Sequence, residues 1–152
     1  MKSIRLNLIA LLTAAACLFG GYAHAAALTD YAENKAVDAL LRGQSLGAPA
    51  TMYIGLATDT CTDSGAGTEP SGNAYARVAV TSSFANWAGT QSAGSTTASS
   101  GTGGTTSNNA SITWPASTGS WGTLQSVRWY DAASAGNSWI CINLTSSLNV
   151  SG

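Results

Sequence analysis

Leu124-Gln125-Ser126-Val127-Arg128-Trp129-Tyr130, followed by Ala133-Ser134-Ala135-Gly136-Asn137 and Trp139-Ile140-Cys141-Ile142-Asn143-Leu144, is the stretch that decides the fold. The flanking runs are short and rich in β-branched and aromatic residues, and the second places Ile140, Ile142 and Leu144 on one side. The small polar segment between them carries Gly and Asn, as the turn of a hairpin does. Two antiparallel strands with a tight connection are predicted here.

Working outward, residues 50–57 set Met52, Ile54 and Leu56 against Thr51, Tyr53 and Gly55, the period of a half-buried strand. Residues 75–81 oppose Val78 and Val80 to Arg77 and Ala79, and residues 110–114 read as a further strand. Nearer the start, Asp30 and Glu33 form a capping box, Leu28 precedes the cap and Gly43 supplies the stop of one helix. Its apolar stripe, Ala32, Ala36 and Leu40 flanked by Val37 and Leu41, is expected to lie on another element. Short strands separated by turn signals predict a mainly β fold, an antiparallel β-sandwich or barrel with one N-terminal α-helix. Residues 88–109 are almost wholly Gly, Ser, Thr, Ala and Asn, too poor in apolar surface to offset their ordering entropy, and are expected to form a flexible surface loop.

Residues 1–25 read as a signal peptide: Lys2 and Arg5 before an apolar run over residues 8–19, then Ala23-His24-Ala25 as a small-x-small cleavage site. The mature chain would begin at Ala26, residues 26–152 would form a single β-rich domain, and the protein would be secreted or periplasmic, touching membrane only through its signal peptide. Cleavage removes His24, the only histidine, so triads and metal sites built on imidazole are excluded. It leaves Lys35, Arg42, Arg77 and Arg128 as the only basic residues against seven acids, too few cations for a phosphate-binding stripe, so no nucleic-acid partner is expected. Export also favours a disulfide between the remaining cysteines, Cys61 and Cys141.

Asp59, Asp63 and Glu69 fall in one Gly-rich loop and offer oxygen ligands for calcium, but their spacing does not match an EF-hand loop. The plainer reading is solvated carboxylates, and no cofactor is expected. Nothing sets two acids across a cleft as glycoside hydrolysis requires, so no catalytic residue is assigned. Trp114, Trp129 and Trp139 sit in predicted strands and read as core. Trp87 and Trp121 lie near loops and are the candidates for a contact surface, including one that stacks on sugar rings.

The blocks Leu28-Thr29-Asp30-Tyr31-Ala32-Glu33-Asn34-Lys35, Leu40-Leu41-Arg42-Gly43 and Pro49-Ala50-Thr51-Met52-Tyr53-Ile54-Gly55-Leu56 resemble the opening of small tailed-phage virion proteins of the tail-fibre or head-decoration kind. Gly67-Thr68-Glu69, Tyr75-Ala76-Arg77-Val78-Ala79-Val80, Asn109-Ala110-Ser111-Ile112-Thr113-Trp114-Pro115, Trp121-Gly122-Thr123 and Tyr130-Asp131-Ala132 resemble the later blocks in the same order. The resemblance implies a structural role without enzymatic activity, a virion location, and protein partners among capsid or tail proteins or further copies of itself. It also implies a C-terminus truncated by one or two strands, because such proteins usually run on through further β segments. The alternative reading is a secreted carbohydrate-binding or adhesin-like module with a glycan as its partner.

Overall fold

The computed structural model describes residues 27–90, 94–101 and 106–151, so the expected signal peptide lies outside the described residues. In chain order the elements are β1 (Ala27–Leu28), α1 (Asp30–Leu41), β2 (Thr51–Ala57), β3 (Val78–Thr81), β4 (Trp87–Ala88), β5 (Ser107–Asn108), β6 (Ser120–Tyr130) and β7 (Ser138–Ser151). Five of the strands form an antiparallel sheet in the order β1-β7-β6-β2-β3, and β4 and β5 make a separate antiparallel ribbon. The fold is mainly β, as expected, but among the described residues the sheet stays open and no barrel closes.

The β6–β7 hairpin is the spine of this sheet. At its turn the Asn137 N–H donates to Asp131 Oδ1 at 2.7 Å, while Ala135 and Gly136 take φ of 51° and 73°. Both strands run past the ends expected for them. Ser120 pairs with Ser151, Gly122 with Val150 and Thr123 with Asn149, mostly small or polar residues joined by the backbone ladder where the sequence shows no clean alternation. The strand expected over residues 110–114 is not formed. Ile112 and Trp114 do turn inward between exposed neighbours, so the alternation there records burial without a backbone partner.

Residues directly paired across strands share a face, and the register sorts this sheet into two unlike ones. Met52 and Val80, then Ile54, Trp129 and Ile140, then Leu56, Val127 and Ile142 form an apolar face. The opposite face carries the rung Gly55, Arg128 and Cys141, with Ser126 and Tyr130 beside it. The second is the better covered: Ser126, Arg128 and Tyr130 are fully buried, whereas Ile142 on the apolar face is 37% exposed. Residues 58–75 cover the polar face. Leu56, Trp121 and Leu124 form the core at one end of the sheet, with Tyr75, Trp114, Val127, Leu144 and Val150 packed around them.

The helix departs from expectation at both ends. Thr29, not Asp30, is its N-cap: the Thr29 hydroxyl accepts from the Ala32 N–H and donates to the Ser138 carbonyl, which fixes the helix start to β7. Only Ala32 is buried. Leu40 and Leu41, expected to pack, are 82% and 81% exposed, because α1 leaves the sheet after its first turns.

Candidate functional site

Two constructions stand out, one on each face of the sheet. On the polar face the Gly-rich segment 58–75 folds back over β6 because two side chains and one covalent bond reach up to it. Arg128 donates from Nη1 to the Gly65 carbonyl at 2.8 Å and from Nη2 to the Thr60 carbonyl at 3.1 Å, with the Asp59 carboxylate 3.6 Å away. The Tyr130 hydroxyl donates to the Ala66 carbonyl at 2.6 Å. The Cys61–Cys141 disulfide closes the arrangement, with the two Cα atoms 5.7 Å apart across 80 positions of sequence.

Beside this lock, Glu69 accepts from Arg77 Nη2 at 2.6 Å and from the Tyr75 hydroxyl at 2.6 Å. Arg77, just before β3, also donates to the carbonyls of Ala132 and Ala135 and sets its Cζ over the Tyr130 ring, 3.4 Å from the centroid, tying the start of β3 to the β6–β7 turn. Burial, and after it the Glu69 charge, pushes the Tyr130 hydroxyl up to about 12. Burial and the hydrogen bond to Glu69 raise Tyr75 well above the ordinary tyrosine value. These are groups satisfied by one another, which makes the cluster a fastening rather than an open reaction centre.

The three acids raised as calcium ligands are not brought together. Glu69 is taken by Arg77 and Tyr75, Asp59 faces Arg128 and the Thr68 N–H, and Asp63 gives its backbone carbonyl to the Asp30 N–H. Among the described residues no three His, Cys, Asp or Glu are grouped to hold a metal ion.

On the apolar face, the β4–β5 ribbon stands over the sheet and leaves a cleft. One cavity of about 590 Å³ is lined by residues 82–84 and 87–89, and a second of about 260 Å³ reaches Met52, Trp129, Ile140 and Ile142. They share Ser82 and Trp87. Trp87 and Trp129 stand 6.4 Å apart between ring centroids at 47°, two walls of a V.

Of the two tryptophans proposed as contact residues, only Trp87 lines an opening. Trp121 is 7% exposed, gives its indole N–H to the Asn73 carbonyl at 2.8 Å and meets Tyr75 edge-on at 5.4 Å. That correction follows from β6 beginning at Ser120, which turns the Trp121 indole into the core. Sequence reasoning missed Phe84 and Trp129 as cleft residues and Arg128 as a buried anchor. The available signal was a lone arginine in an alternating strand, with a Gly-rich segment upstream long enough to cover it.

No curated protein matches the chain. A family model described as Podophage GP4 fiber I protein gp80 does, over residues 27–152. The match opens at the first strand, Ala27, and takes in the sheet, the 58–75 cover and the cleft. The chain therefore belongs to the Podophage GP4 fiber I protein gp80 family, a family of phage tail-fibre-like structural proteins.

Proposed function

We propose that this protein is a non-enzymatic tail-fibre-like component that acts in the virion through protein–protein contacts, with the end of α1 as its attachment point. The observation that carries the reading is the exposure of Val37, Leu40 and Leu41, at 50%, 82% and 81%, on a helix whose start is capped by Thr29, with Leu46 beyond its end 41% exposed. Clustered large apolar side chains in water are unfavourable by roughly 1.5–3 kcal/mol each relative to burial, and a partner surface removes that penalty. The family supports a virion setting and the fastened polar face supports a mechanical role.

The experiment is fractionation of the source culture into periplasm, free supernatant and salt-washed particle pellet. The wild-type chain is expected in the pellet, and Leu40→Ser/Leu41→Ser is expected to leave it with an unchanged melting temperature. Wild-type protein found only as a free monomer in periplasm or supernatant would defeat the proposal and favour the exported binding module.

A further inference from the structure

We propose that the cleft between the Phe84 turn and the apolar face of the sheet binds a neutral saccharide, with Trp87 and Trp129 as stacking walls and Phe84 at the mouth. This adds a ligand to the fibre reading and does not depend on it.

The lining sets the chemistry. Among the described residues no charged side chain borders either cavity, so an anionic or cationic ligand would lose hydration without a charged partner there to replace it. Aromatic rings offer flat apolar faces, and Phe84, at the rim of the larger cavity, is 56% exposed. Two hydroxyls that border the cleft already have their protons placed: Ser82 Oγ donates to the Pro49 carbonyl at 2.9 Å, and Thr106 Oγ1 donates to the Ala88 carbonyl. What remains on those oxygens is lone pairs, which accept from an O–H donor. A ligand with apolar C–H faces and hydroxyl edges, neutral overall, satisfies all three conditions. A pyranose is that ligand.

The platform is also preformed. The N–H groups of Asn86 and Trp87 both donate to the Ser83 carbonyl, at 3.1 and 3.0 Å, and Asn109 Nδ2 donates to the carbonyls of Phe84 and Ala85 at 2.9 and 3.2 Å. The turn that presents Phe84 and Trp87 is thus held before any ligand arrives, which lowers the ordering entropy of binding. The larger cavity, at about 590 Å³, lies within the size range of small-molecule sites.

The test is titration of the full-length protein with maltoheptaose, cellohexaose and chitohexaose as neutral probes and with oligogalacturonate as the acidic one, read by ligand-observed NMR and tryptophan fluorescence. Saturable binding of at least one neutral probe is expected, weakened about tenfold or more by Trp87→Ala and several-fold by Phe84→Ala. Phe84 is exposed, so its variant stays folded where the tryptophan variant fails. Leu40→Ser/Leu41→Ser should bind the probe like wild type, which separates this proposal from the attachment reading. Preference for oligogalacturonate, binding indifferent to both aromatic variants, or no response to any probe overturns the assignment. So does self-association that Phe84→Ala abolishes without any saccharide response, since the cleft then belongs to a protein partner.

Discussion

Arg128 and Cys141 stand opposite one another on a single rung of the β6–β7 ladder, so the guanidinium and the disulfide that hold residues 58–75 rise from adjacent strands side by side. Each restrains the same segment. A chain-entropy account assigns a loop of this length about 4 kcal/mol of stabilisation, and native strain usually lowers the measured value. Cys61→Ser/Cys141→Ser is therefore expected to lose about 2–4 kcal/mol in urea unfolding. Arg128→Ala, which strips the Gly65 and Thr60 carbonyls of their donor and empties a fully buried position, should lose about 3 kcal/mol or more. Because the two act on one segment, the combined variant should depart from additivity by about 0.5–3 kcal/mol. Strict additivity would show that the two restraints are independent.

Gly67 has a separate vulnerability. It sits at φ +80°, and a β-carbon built there would lie 2.7 Å from the Arg128 Cζ and 2.8 Å from its Cδ. Gly67→Ala combines an unfavourable backbone region with a clash against a guanidinium that has no room to move, for an expected loss of about 2–4 kcal/mol. Gly47, at φ +65° with open space around it, is the internal control. Its alanine variant should lose only the backbone component, about 1 kcal/mol. Equal losses at the two positions would show that the Arg128 contact contributes nothing.

Alkali should unfold the protein from the Glu69 cluster. Tyr130 and Tyr75 have folded-state values above that of a free tyrosine, so the folded chain holds more protons than the unfolded chain above about pH 10. Their contribution is intact below pH 10 and falls as pH rises, by up to about 1.4 kcal/mol per pH unit for each group. Tyrosinate absorbance at 295 nm is expected to show two of the tyrosines ionising only with the unfolding transition. Smooth ionisation of all tyrosines near pH 10 in a folded protein would contradict this.

The β6–β7 turn has the opposite dependence. Although burial works against it, the Asn137 side chain and N–H, together with the Trp139 indole N–H, hold the Asp131 carboxyl below its ordinary value. A lowered carboxylate stabilises the fold above its unfolded value and loses that contribution as pH drops through the folded one. Asp131→Asn should therefore flatten the fall in melting temperature below about pH 4. An acid limb as steep as that of wild type would assign acid sensitivity to other carboxylates.

What the sequence determined by itself were the features that depend on neighbours along the chain. Alternation of Met52, Ile54 and Leu56, and of Ile140 and Ile142, placed two central strands, and small polar residues with Gly136 marked the hairpin turn. The paired cysteines were legible from their number and the expected compartment, and the structure joins them. Tertiary structure decided the rest. Thr29 became the helix cap because Ser138 offers its hydroxyl a carbonyl from the far end of the chain. Leu40 and Leu41 stayed outside because no described element reaches them, although their spacing is that of a packed stripe. The ends of β6 and β7 formed because backbone groups found partners across the ladder and Trp121 and Val150 found the core, neither of which the local pattern shows. Arg128 was buried because a segment more than 50 positions upstream supplied carbonyls to its guanidinium. The cleft joins Phe84 and Trp87 to Trp129 only through the register of the sheet and the stand of the ribbon above it. Local periodicity tells a residue which way to face, but what it meets there is set by pairing between distant segments, and that information lies in the fold.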